Sequence, residues 1–310
     1  MIQNTRLTKW LVCSLIFAIT TNSFAQTTDI DSLIITETKT DTLVETGKAI
    51  STFKSTRAGN GHSIETLPAK VMDIKIQHRF GYVSDGWKQF FGLDNATVRI
   101  GADYGITNRF MVGAGRATYG KQWDVFAKYK ILEQQSGNKN IPISLSLLGS
   151  VMLQSMPAPD SIKDKQNFSD RFYYAGQLII ARKFNKALSL QLMPTIVHYN
   201  IVPLATDPND IISIGAALST KISKNASLVL EYYYNLPSNK FDNTQNSLSV
   251  GIDIETAGHV FQMLFTNGVG IAERPFITET TGKFFDGDIS LGFNISRAFQ
   301  LGSKNKKKSW

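Results

Sequence analysis

From Val71 onward, apolar and polar residues alternate with a period of two through one short segment after another. In the first, Ile74, Ile76, His78 and Phe80 share one face while Asp73, Lys75, Gln77 and Arg79 share the other. That period belongs to a β-strand with one apolar and one polar side. The pattern predicts strands over 71–80, 96–104, 109–118, 122–132, 141–154, 171–184, 187–200, 211–222, 226–235, 247–255, 259–267 and 285–299. The connections between them alternate in length. Those at 81–95, 155–170, 201–210, 236–246 and 268–284 are long; those at 105–108, 223–225, 256–258 and Asn185-Lys186 are tight turns. The connection at 133–140 is moderate, and 119–121 is short where a long one is due. Long loops on one rim and short turns on the other mark a membrane barrel rather than a soluble sandwich. The expected fold is all-β: a transmembrane, up-and-down, antiparallel β-barrel of about 12 strands, with 10–14 as the range. An even count places both termini on the periplasmic side of the outer membrane.

The N-terminus reads as an export leader. Arg6 and Lys9 are its basic part, Trp10 to Thr20 its apolar core, and Ser23-Phe24-Ala25 a small-x-small cleavage site. The competing reading, a membrane anchor, needs roughly 20 apolar residues, and this core is shorter. Cys13 is the single cysteine and lies inside the leader behind Val12, so lipidation there is disfavoured. Cleavage after residue 25 removes the thiol, which excludes disulfides, cysteine nucleophiles and thiolate metal sites. The expected organisation is a leader at 1–25, a Thr-, Asp- and Glu-rich, mostly extended periplasmic segment at 26–69, the barrel at 70–299, and a basic tail at 300–310. Within the second region, Asn60-Gly61-His62-Ser63 is the stretch able to fold back into the barrel as a small plug. The net charge of +8 is partly local, through Lys304, Lys306, Lys307 and Lys308. A solvated tail near anionic headgroups accounts for it, and nucleic acid is not expected as a partner.

The outward faces are apolar. Ile141, Ile143, Leu145, Leu147, Val151 and Leu153 share one, and Leu188, Leu190, Leu192 and Ile196 another; Leu228, Leu230 and Tyr232 make a third. Only a closed sheet tolerates such a surface in lipid, because every backbone group must be paired. Tyr173-Tyr174, Tyr232-Tyr233-Tyr234 and Phe284-Phe285 lie at segment ends, where interfacial aromatic girdles belong.

Parity sends a charged set into the lumen: Asp73, Lys75, Arg79, Arg99, Asp103, Asp124, Lys128, Lys130, Glu231, Asp253, Glu255, Asp286 and Asp288. A selective ion pore favours one sign; a mixed interior points to charges paired across the barrel. Gly101, Gly113 and Gly115 also point inward and are expected to leave space near the second and third strands. The four histidines, His62, His78, His198 and His259, form no His-x-His or His-x3-His pair, so no metal site and no cofactor are expected. A lipid hydrolase needs a serine beside a rim histidine. His198 is followed by Tyr199-Asn200, Ser189 and Ser213 cannot be placed beside it, and no Gly-x-Ser-x-Gly elbow occurs. Gly113-Ala114-Gly115 lies mid-strand and opens no helix, which removes the phosphate-loop reading. No catalytic residue is assigned, and the chain is not expected to be an enzyme.

Several runs carry a resemblance. Asn60-Gly61-His62-Ser63-Ile64-Glu65-Thr66 leads into Ile76-Gln77-His78-Arg79-Phe80-Gly81; Gln177 to Phe184, Gln191 to Thr195, Gly251 to Thr256, His259 to Gln262, Gly287-Asp288-Ile289 and Gly292 to Arg297 follow. Together, from about Phe53 to Phe299, they resemble a family of outer-membrane β-barrel proteins of unknown function from Gram-negative bacteria. The resemblance implies the barrel and brings no activity or catalytic residues. The last strand, alternating to Phe299, also looks like a signal for the barrel assembly machinery, although a basic tail ending in Trp310 follows it.

Three readings of function remain open: a passive, narrow channel or small-ligand or lipid-binding barrel; a closed scaffold acting through its loops or periplasmic ends; and a lipid-modifying enzyme. The expected surroundings are outer-membrane lipid and lipopolysaccharide, with a small solute as cargo and the chain as a monomer.

Overall fold

The computed structural model describes residues 47–49, 51–137, 140–156 and 167–301. The leader with Cys13, the stretch before residue 47, part of the 155–170 loop and the tail from residue 302 lie outside the described residues.

Twelve strands close into one barrel. They are β1 (Val71–Tyr82), β2 (Ala96–Gly105), β3 (Phe110–Ala117), β4 (Gln122–Leu132), β5 (Ser144–Gln154), β6 (Phe172–Lys183), β7 (Leu188–Tyr199), β8 (Asp210–Lys221), β9 (Ala226–Asn235), β10 (Ser247–Thr256), β11 (His259–Thr266) and β12 (Ser290–Gln300). Each strand pairs antiparallel with its chain neighbours, and β1 closes the sheet on β12, with Lys75 opposite Ser296 there and opposite Gly101 on β2. No strand edge is left open, the condition under which a sheet can face lipid.

Two strand starts differ from the sequence reading by three residues or more. The first residues of the expected 141–154 strand stay outside the ladder, where Ile141 bridges only to Gln135. The last strand starts at Ser290, because Phe284–Asp286 form a 3-10 turn ended by Gly287 in the left-handed region (φ 100°). That turn breaks the alternation that parity assumed. Asp286 and Asp288 therefore do not reach the lumen. Asp288 instead accepts hydrogen bonds from the Ser84 hydroxyl (2.6 Å) and the Lys283 backbone N–H (2.9 Å) on the loop rim. These bonds, the Ser84 hydroxyl foremost, hold its carboxyl below the usual carboxylate range.

The apolar alternates, among them Ile100, Leu147, Leu192, Ile214 and Met263, are exposed on the outer face. Aromatic runs split by parity: Tyr174, Tyr232 and Tyr234 face outward, but Tyr173 and Tyr233 are buried inside. Successive strand residues point to opposite faces, so an aromatic pair cannot belong wholly to a girdle.

The interior is filled by two segments that are not strands. Residues 51–67 precede β1 and lie within the barrel, where Phe53, Ala58, Ile64 and Leu67 join an apolar cluster with Phe126, Leu148, Ile179 and Tyr233 from the walls. From the other rim, the long β11–β12 connection dips inward. It forms one short helix, α1 (Glu273–Thr278), all of whose residues are buried. Phe276 of α1 packs edge-on to Tyr233 at 5.3 Å.

Candidate functional site

The lumen is the candidate site. Its two halves differ because the inward positions of the strands differ in chemistry. On β5 to β8 those positions carry small hydroxyls and apolar groups such as Ser146, Leu148, Ile179, Met193 and Ala217. On β1, β2 and β4 they carry charge, and Glu231 on β9 and Asp253 on β10 add to it. Among the described residues, six buried cations (Arg57, Lys75, Arg79, Arg99, Lys128 and Arg274) accompany six buried carboxylates (Asp73, Asp103, Asp124, Glu231, Asp253 and Glu273). Charge taken out of water is tolerated only when it is paired or fully hydrogen-bonded, and the wall shows both solutions.

Lys75 on β1 pairs with Asp73 and lies 2.9 Å from Asp103 of β2. Arg99 of β2 pairs with Asp124 of β4, with Nε 2.8 Å from Oδ1, and donates from Nη1 to Gln77 at 3.0 Å. Glycines make these large side chains possible. A Cβ on Gly115 would stand 2.4 Å from the Arg99 guanidinium, and one on Gly113 would stand 2.4 Å from the Phe126 ring and 2.5 Å from Asp103 Oδ1. The inward glycines of β2 and β3 therefore leave no empty space. They are cradles in which Arg99 and Phe126 lie flat. Gly292 does the same for Arg79, and Gly215 for Tyr233.

The remaining predicted lumen residues divide. Asp73, Lys75, Arg79, Arg99, Asp103, Lys128, Glu231 and Asp253 are buried inside. Lys130 is near the short-turn rim, 4.0 Å from Glu65. Glu255 is exposed at the end of β10 and takes Lys54 as its partner at 2.8 Å, because the strand there has run past the packed interior. Asp286 and Asp288 lie on the loop rim, as described above.

Sequence parity had no means of finding the groups that enter from outside the strands. The 51–67 segment docks through a tight turn in which the Ala58 N–H donates to the Gly61 carbonyl at 2.9 Å. Arg57 and His62 then reach Glu273 of α1, at 3.4 and 3.3 Å. His62 also sits edge-on to Phe126 at 4.4 Å. The two inward segments thus meet in the lumen on a buried polar cluster. Arg274, next along α1, stacks on Tyr173 at 4.0 Å, donates to Gln154 at 3.0 Å and lies 3.4 Å from Glu279. Arginine suits such a place because its planar head both stacks and forks.

His198 is on the outer side of β7, with Nδ1 2.7 Å from Asp210. Among the described residues no serine hydroxyl is hydrogen-bonded to it, and no group of three or more His, Cys, Asp or Glu is arranged to hold a metal ion.

Comparisons with known proteins bear on this geometry. No curated protein matches the chain. Among solved structures, the NanC porin aligns with a TM-score of 0.46 at 9% identity, over 74% of this chain and all of its own. The KdgM porin aligns at 0.43 and 11%, over 74% of this chain and 99% of its own. An outer membrane channel from Pseudomonas putida F1 aligns at 0.41 and 14%, over 76% and 98%. One family accounts for residues 53–299, a span that takes in the docked segment from Phe53 and the strands up to the last residue but one of β12. The chain belongs to that family, described as the membrane bound beta barrel domain (DUF5777).

Proposed function

We propose that this protein is a narrow, passive outer-membrane channel whose lumen is closed, in the conformation described, by its own two inward segments. One observation carries the reading: 51–67 and α1 meet through the polar contacts of Arg57 and His62 with Glu273, inside a wall of paired charges. Opening the lumen exchanges these polar contacts for water and also separates the apolar contacts that Ile64 and Phe276 share with the wall. On this reading residues 1–25 export the chain, the barrel assembly machinery inserts it, and the short-turn rim faces the periplasm with both termini. The long-loop rim then meets the lipopolysaccharide leaflet. Among the described residues no serine is hydrogen-bonded to His198, and its one polar partner is Asp210. A closed scaffold is the competing reading, and the filled lumen is what favours it.

Planar-bilayer recording separates the two. The refolded chain from Gln26 to Trp310 is expected to give rare, brief conductance steps. Glu273→Ala, which removes the carboxylate shared by both segments, is expected to make those steps more frequent. Silence from both proteins, each shown to be folded, would establish the closed scaffold.

A further inference from the structure

The barrel wall holds the 57–64 segment chiefly by its main chain, and among the described residues the charges that do so form no ion pair. The N–H groups of Asn60 and Gly61 both donate to the Glu231 carboxylate, at 3.0 Å each. The Asn60 side-chain carbonyl accepts a fork from Arg79, at 3.0 Å from Nε and 2.7 Å from Nη2. Lys128 donates to the Ser63 carbonyl at 2.9 Å. Gln191 brackets His62 and Ile64, donating to the carbonyl of one at 2.8 Å and accepting from the N–H of the other at 2.7 Å. Asn294 donates to the Gly59 carbonyl at 3.0 Å.

Three features distinguish this from ordinary packing. Arg79, Lys128 and Glu231 are buried, yet among the described residues none of them forms an ion pair; Lys128 and Glu231 are satisfied by neutral groups of the segment, and Arg79 by Asn60 of the segment together with Asn294 and the carbonyls of His78 and Phe293. The two signs sit on different strands, with Arg79 on β1 and Lys128 on β4 against Glu231 on β9. The occupant is also read at its backbone: a Cβ on Gly61 would stand 2.3 Å from the Tyr233 hydroxyl, so only a bare main chain fits there.

We infer that Arg79, Lys128, Glu231 and Gln191 form a solute site for short zwitterionic peptides, and that the 57–64 segment occupies it in the closed state. A peptide carboxylate replaces the Asn60 side-chain carbonyl at Arg79, a peptide carbonyl replaces that of Ser63 at Lys128, and the ammonium replaces the Asn60 and Gly61 N–H groups at Glu231. The exchanges at Arg79 and Glu231 each replace a hydrogen bond between a charged and a neutral group by one in which donor and acceptor are both charged, which is the stronger kind. The inference rests on the channel reading and adds a solute class to it.

The test is uptake into proteoliposomes carrying the full mature chain, with Asn60→Ala to weaken the docked turn. The solutes are glycylglycine, N-acetylglycine, which lacks the ammonium, and glycinamide, which lacks the carboxylate. Potassium chloride conductance and the gel shift on boiling are read on the same preparations. Glycylglycine is expected to enter Asn60→Ala about tenfold faster than either analogue, the difference expected for one good charged contact. Adding Glu231→Gln should abolish its advantage over N-acetylglycine, and adding Arg79→Gln its advantage over glycinamide. If Asn60→Ala fails to fold, Gly61→Ala expels the turn by steric contact with Tyr233 and leaves every wall charge in place. Conductance with equal entry of all three solutes would overturn the peptide site and leave the channel standing. Absence of conductance in Asn60→Ala, Gly61→Ala and Glu273→Ala alike, all folded, would overturn both.

Discussion

At the scale of single residues, the lumen is built by pairing a bulky inward side chain with a glycine beside it. Strand periodicity says that Gly113 and Phe126 both point inward, but not that one ring fills the space above the other. With a Cβ on Gly113 only 2.4 Å from that ring, Gly113→Arg is expected to be strongly destabilising, by the roughly 1–3 kcal/mol typical of overpacking or more. The sequence alone suggested open space beside this glycine. Combining Gly113→Arg with Phe126→Ala should cost less than the sum of the two single changes, because the ring that clashes is gone. Denaturant unfolding of the four proteins measures this, and strict additivity would show that the ring is not what excludes the side chain.

At the scale of elements, the strands separate a lipid face from a lumen face, and the two carry different penalties. Leu147 is exposed on β5 and Leu190 lies on the outer side of β7. Leu147→Arg or Leu190→Arg is expected to cost about 2–4 kcal/mol if placed near the bilayer midplane, and less near an interface. Folding titrations in bilayers of increasing thickness check this, and a penalty independent of thickness would contradict the assignment of faces. The non-strand elements follow different rules. The end of the 51–67 segment passes close to the end of β2, where a Cβ on Gly105 would stand 2.7 Å from the Leu67 carbonyl and 2.0 Å from that of Pro68, the next residue. Two backbones in contact leave no flexible group to move aside, which fixes where this segment enters the barrel.

At the scale of the whole molecule, closure of β1 on β12 unites the first and last strands into one cooperative unit. A closed ladder has no free edge from which detergent can unravel it. The refolded protein should therefore migrate differently on gels before and after boiling, and identical migration would count against a closed membrane barrel. The same closure confines twelve buried charges to one enclosed space. There the loss of a single partner strands an opposite charge, at about 3–5 kcal/mol.

The alternation of Asp73, Ile74, Lys75 and Ile76, the two-residue turn at Asn185-Lys186 and the unequal connections were enough to specify the strand number, the two faces and the two rims. These are local properties: a period of two and a turn residue act over a few positions. The alternation also sent Asp73, Arg99, Glu231 and their neighbours inward without showing their partners. It could not treat Tyr173 and Tyr233 correctly once they were read as pairs with their neighbours, nor stop the last strand short of Asp286. Residues 51–67 and α1 carry no periodicity at all, and their polar composition suits solvent as well as a lumen. Their place depends on contacts between residues far apart in the chain: Glu231 with Asn60, Arg57 with Glu273, and Gly105 with Leu67. Those contacts exist only once the sheet has closed around a space of the right shape and charge.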